Sequence, residues 1–183
     1  ATRYNDNDPL LLGLFLKTID NILTLNIDIQ LKSDLDLLMI FDTEANKLTD
    51  DEFKSKVIPF IKKQSERHPN KIGYFTKNIT TSKYEMLKEL EDLKLTVLGS
   101  NIDILNELDK THLSLQGNFS NELFNIEDKN KFKSVLGEFI NYINDFDSSQ
   151  RAGWMSSLDH GVQKTTPEAN VHMFIDQIRT KLV

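Results

Sequence analysis

The chain has 183 residues, 39% hydrophobic and 27% charged, with a net charge of -6 and a pI near 5.2. That length supports one domain burying roughly 70% of its unfolded surface, and the acidic balance argues against a general nucleic-acid or anionic-membrane surface. The absence of cysteine excludes disulfides, thiolate metal sites and a cysteine nucleophile.

With no apolar run approaching the ~20 residues that cross a bilayer and no basic, apolar leader, the expectation is a soluble, cytoplasmic protein folding as a single domain over residues 1–183. Position 1 is Ala rather than Met, so the start is expected either to have been processed or to belong to a longer protein.

Asp8-Pro9 reads as an N-cap with proline at the first helical position, and Leu10, Leu11, Leu14, Phe15, Ile19, Ile22 and Leu23 recur at helical spacing. The near-continuous apolar run from Leu35 to Phe41 then has the length and character of a parallel strand buried on both faces. Thr49-Asp50-Asp51-Glu52 has capping-box form ahead of Phe53, Val57, Phe60 and Ile61, with Pro59 expected to kink or stop that helix.

The same grammar repeats. Lys71 to Thr76 reads as a strand, followed by a helix capped at Thr81 or Ser82 and running through Leu93. Leu95 to Gly99 is a third strand with a short helix from Ile102 to Leu108, and His112 to Asn118 a fourth, followed by the long helix of Phe132, Leu136, Phe139 and Ile143. Gly153 to Leu158 is a fifth, with Val171, Phe174, Ile178 and Leu182 lining the last helix. Five alternations with no hairpin dipeptide predict a parallel sheet with right-handed crossovers. Both an open doubly wound sheet and part of a (β/α) barrel fit. The first strand lacks a glycine-rich phosphate loop, which weakens the nucleotide-binding form of the open sheet.

Each strand ends in polar residues: Asp42 and Thr43, Lys77, Ser100 and Asn101, Gln116 and Asn118, Asp159 and His160. In a barrel such tips share one mouth, where βα folds keep their chemistry. His160 stands at such a strand tip, before a glycine that lets the backbone turn sharply. His112 is expected to be a satisfied core residue, His68 and His172 solvated, Trp154 core or barrel wall, and Lys83 to Lys94 an exposed helix face.

In chain order, Ile40-Phe41-Asp42-Thr43-x-Ala45, Tyr74-Phe75-x-Lys77, Val97-x-Gly99, Leu113-x-Leu115-Gln116-Gly117-Asn118 and Leu158-x-His160-Gly161, with Thr166-Pro167 and Asn170-Val171, resemble the C-terminal part of the uroporphyrinogen decarboxylase family. The likeness covers Pro9 to Leu182. It implies an α/β fold: a partial TIM (β/α)8 barrel of about five parallel βα units, preceded by one helix. It also implies a carboxy-lyase of heme and porphyrin biosynthesis that converts uroporphyrinogen III to coproporphyrinogen III by removing four acetate carboxyls, with no cofactor and no metal.

On that resemblance, His160 and Thr43 bind substrate carboxylate, Phe41 lines the wall, and Lys77 and Asn118 are possible site residues without assigned roles. The family's arginine-rich loop, pyrrole-binding aspartate and tyrosine belong upstream of this region. This accords with only four arginines here, Arg3, Arg67, Arg151 and Arg179, and makes the chain alone an expected inactive fragment. The resemblance implies a tetrapyrrole substrate; the two open edges of a five-strand piece predict self-association with a second copy, and the acidic charge predicts neither nucleic acid nor membrane as partner.

The chain departs from the family pattern at Asn46 (for glycine), Ser100-Asn101-Ile102 (for Leu-Asp-Trp), Phe119-Ser120-Asn121 (for Leu-Asp-Pro) and Asp159 (for glycine). Asp159 beside His160 is expected to repel a polyanion, by ~1 kcal/mol per solvated charge, or to hold the imidazole protonated. Two other functions are open: a non-catalytic binding or assembly module, and a corrinoid- or folate-linked methyltransferase, the latter disfavoured by the lack of cysteine.

Overall fold

The computed structural model describes residues 9–182, so the expected cap at Asp8 lies outside the described residues. The chain divides after Leu38 into two compact units. The first holds helix α1, Pro9–Leu31. By length and composition alone, Leu10–Leu31 reaches what a membrane crossing requires, which corrects the expectation that no segment does. Isolated polar residues such as Lys17, Asp20 and Asn21 break the contiguous run, yet leucine, isoleucine and phenylalanine occupy every side of the helix.

The remaining elements alternate. They are β1 (Leu38–Phe41), α2 (residues 50–67), β2 (Ile72–Phe75), α3 (Thr81–Lys88), β3 (Leu95–Val97), α4 (Ile104–Leu108), β4 (Ser114–Phe119), α5 (Lys129–Asn144), β5 (Trp154–Leu158) and α6 (Glu168–Lys181). The sheet runs β1-β2-β3-β4-β5, and the pairs from β2 to β5 are parallel in register. This is the five-unit α/β architecture expected from the alternation of apolar runs and amphipathic helices.

Local chemistry sets the boundaries. Thr49 and Glu52 form the expected capping box, each side chain satisfying the other's backbone N–H. Pro59 does not stop α2, which continues to Arg67; a π turn over Phe53–Val57 precedes it and places the proline within the first two residues of the α-helical segment Ile58–Arg67, where its missing N–H costs little. The α3 cap is Thr80, one residue before the expected pair, and the helix ends at Lys88 rather than Leu93.

Residues paired across the sheet share a face. Tyr74, Thr96, Leu115 and Trp154 make one row, and Val97, Gln116 and Met155 lie on the other face. The first face meets the helices. Tyr74 packs edge-on against Phe53 of α2, with ring centroids 6.2 Å apart, and Phe119 is surrounded by Phe124, Phe132, Phe139 and Phe174 at 5.1 to 6.2 Å. That cluster joins β4 to α5 and α6, and each fully buried phenylalanine contributes about 1.5 to 3 kcal/mol.

The opposite face is concave. The ring of Phe75 at the end of β2 lies 6.1 Å from that of His160, just beyond β5, although β2 and β5 are three strand steps apart in the sheet. In a flat sheet the backbones of these strands lie about 14 Å apart, so the contact is favoured by curvature that turns the two strand ends toward each other. The sheet therefore curls as an arc of a (β/α) barrel rather than as an open doubly wound sheet.

Candidate functional site

Because the strands are parallel, every residue following a strand lies at the same end of the sheet. Phe41 closes β1 and is 73% exposed; its ring lies 5.4 Å from Phe75. Phe75 in turn meets His160 edge-on, at 83°. Phe41, Phe75 and His160 thus form one aromatic row on the concave side. Phe75 is part of the Tyr74-Phe75-x-Lys77 block but was not among the expected site residues. Its signal was alternation, since Tyr74 takes the helix-facing side and leaves Phe75 the other.

His160 is half-buried, and its Nδ1 accepts the backbone N–H of Gly161. That bond occupies Nδ1 and leaves Nε2 as the ring's other polar atom. Thr43 opens a 3-10 turn, Thr43–Lys47, directly after β1 and is exposed. Asp42, between Phe41 and Thr43, is held differently: its Oδ2 accepts from the Tyr74 hydroxyl at 3.4 Å. Burial raises its pKa above the ordinary carboxylate value, against the lowering effect of the Tyr74 and Ala45 hydrogen bonds. Asp42 therefore belongs with Tyr74 and the helix layer.

Lys77 is exposed and borders a polar cavity of about 350 Å³ together with Asn101, Asn121, Asp159 and Gln163. Asp159 does not face the histidine as an open charge. It is only 5% exposed, its N–H bonds the Phe119 carbonyl at 3.0 Å, and its Oδ1 accepts the Asn121 N–H at 2.8 Å. Its side chain is a loop anchor, and it also borders the polar cavity.

Three further buried side chains do the same work. Asn118 donates to the carbonyls of Gly99 (2.9 Å) and Ile102 (2.6 Å), fixing the loop after β3. Asn170 donates to Phe124 and Ile126 (2.9 and 2.8 Å), fixing the loop after β4. Lys83, 2% exposed, donates to Asn46 and Leu48 (2.8 and 2.6 Å), fixing the exit of the turn that begins with Thr43. Its ammonium also sits 5.7 Å from the Phe53 ring centroid.

Lys83 corrects the reading of that helix as an exposed face, and Asn118 is committed to its own loop. At Gly117, φ is +137° and an added Cβ would meet the Leu98 carbonyl at 3.0 Å, so the Gly-Asn pair lets β4 pass close to that loop. His112 is exposed rather than in the core, with Nε2 3.1 Å from the Leu90 carbonyl. Trp154 is half-buried and donates to the Gly117 carbonyl at 2.8 Å.

Against known families, residues 6–181 match the model described as uroporphyrinogen decarboxylase (URO-D). The chain belongs to the uroporphyrinogen decarboxylase family. Proteins named uroporphyrinogen decarboxylase are similar to it at low identity: 22% for one from Chlorobium phaeobacteroides, 25% for one from Chloroherpeton thalassium and 24% for one from Chlorobium limicola. These alignments take in 94 to 96% of this chain. The chain spans about half the length of the curated relatives it matches.

The URO-D match accounts for the arc-like sheet, since members of that family are TIM barrels acting on tetrapyrroles. It also gives a common sense to two motif blocks: Leu-Gln-Gly-Asn and Thr-Pro-x-x-Asn each supply an asparagine that ties down a loop at the mouth. Thr166 adds to the second through its bond to Asn125, at 2.7 Å.

Proposed function

We propose that this chain is the C-terminal part of a barrel that decarboxylates uroporphyrinogen III to coproporphyrinogen III, converting each acetate side chain to methyl with uptake of one proton and release of carbon dioxide. The observation that carries the reading, beside the family match, is the row Phe41–Phe75–His160. It offers an apolar wall ending in an imidazole, suited to a pyrrole face with a carboxylate at its edge. Thr43 supplies a hydroxyl at the same end of the sheet, and Lys77 a cation.

The polar cavity at the mouth brings one lysine together with Glu122 and Asp159. A substrate with eight carboxylates needs more cationic partners than this, and in the proposed reading they come from the half of the barrel outside this chain. The chain by itself is then inactive.

The test is conversion of uroporphyrinogen by the intact parent protein under reducing conditions, with His160→Ala and Thr43→Ala each expected to lower kcat/KM by ~1 to 3 kcal/mol of transition-state stabilisation. A folded parent that yields no coproporphyrinogen at any pH overturns the decarboxylase reading and favours a binding or assembly module.

A further inference from the structure

A second cavity, of about 550 Å³, lies behind the rim formed by Ser100, Asn101 and Ser120 and is walled by the β3–α4 loop, the end of β4 and the face of α5. β3 and β4 are inner strands of the sheet. Its floor is hydrocarbon, from Ile102, Ile104, Leu123 and Phe139, and its charged groups are Asp103 and Glu138, with no lysine, arginine or histidine in the lining. The cavity also coincides with the chain's departures from its family pattern. Ser100, Asn101, Ile102, Phe119 and Ser120 all line it, and Ile102 stands where the pattern has the larger tryptophan.

Asp103 and Glu138 are both exposed, and Asp103 is held in place by hydrogen bonds. Asp103 caps α4 by accepting the Asn106 N–H and also accepts the Tyr142 hydroxyl. Burial pushes its pKa up, but these hydrogen bonds outweigh it and hold the carboxyl below its ordinary value, so the charge is fixed at neutral pH. Glu138 and Tyr142 are one turn apart on α5 and share the cavity-facing side.

We propose that this cavity binds a small amphiphilic cation, an aromatic or aliphatic group carrying a protonated amine, with its hydrocarbon on the Ile102–Ile104–Phe139 floor and its ammonium toward Asp103 and Glu138. A porphyrinogen polyanion is repelled by the same charges, so this cavity and the polar cavity at the mouth, which share Ser100, Asn101 and Ser120, take different ligands.

Calorimetric titration of the intact protein with phenethylammonium, 2-phenylethanol and 3-phenylpropionate tests it. The ammonium binds saturably, the alcohol about fivefold more weakly, and the carboxylate not at all. Glu138→Gln lowers ammonium affinity about fivefold and leaves the alcohol unchanged. Val135→Trp, filling the cavity from α5, removes both; Leu123→Trp replaces it if that variant does not fold. Equal binding of the carboxylate, an unchanged affinity in the filled variant, or no saturable binding of the ammonium overturns the proposal.

Discussion

Replacing Lys83 by methionine keeps the length and apolar stem of a side chain that is 2% exposed while removing its ammonium. The ammonium has three N–H groups; two go to the Asn46 and Leu48 carbonyls at 2.8 and 2.6 Å, and the Phe53 ring lies 5.7 Å away. Hydrogen bonds from a charged donor are worth about 1.5 to 3 kcal/mol each. Removing both strands two carbonyls, although the methionine no longer carries the desolvation cost of a buried charge. The net expectation is a loss of about 3 kcal/mol, or roughly 6 to 12 °C in Tm for a chain of this size. Thermal unfolding monitored by circular dichroism measures it, and amide exchange should quicken first in the turn Thr43–Lys47. A variant melting within about 1 °C of the parent would refute the argument that this lysine holds the turn.

Asp159→Gly removes the acceptor for the Asn121 N–H and should cost about 1 to 3 kcal/mol, while Asp159→Asn retains it and should cost less than half as much by urea titration; a stabilising glycine would show that the carboxylate is not an anchor. Asp42 has a folded-state pKa above its reference value of 3.8, so its contribution is fully present below that value and lost as pH rises through the folded pKa. Asp42→Asn should therefore raise the urea midpoint at pH 7 and leave it unchanged below about pH 3.8; a gain confined to acid would reverse the sign and reject the assignment. Strands β1 and β5 are the outer strands of the sheet, so the isolated chain is expected to self-associate over at least ~1,000 Å², which a clean monomer in micromolar sedimentation would contradict.

The architecture was legible because parallel strands buried on both faces leave continuous apolar runs, such as Leu95 to Leu98, between helices whose apolar residues recur at helical spacing, such as Phe132, Leu136 and Ile140. Curvature was not legible from periodicity, because a flat and a curled sheet share the same alternation; it is seen only where Phe75 and His160 meet. The motif residues were legible as motifs but not as roles. Asn118 and Asn170 stand out in sequence as polar residues beside strand and loop signals, and only their partners, carbonyls 16 to 46 residues away, reveal that they are ties. Lys83 carried no signal at all, since a lysine in the first turn of a helix is expected to be solvated.

The pair Asp159 and His160 shows how adjacent residues come to serve different ends. Asp159 makes the last ladder bond of the sheet, through its N–H to Phe119, so its position is fixed by β4 and its carboxylate falls within reach of the Asn121 amide at the start of the next loop. His160 is the first residue freed from the ladder, and the Gly161 N–H captures its Nδ1. The Asp159 carboxylate thus anchors the loop one residue before the imidazole, whose Nδ1 is held by the Gly161 N–H. An aspartate where the family pattern has glycine thus ties the loop through the Asn121 amide while its carboxylate still borders the polar cavity that holds Lys77.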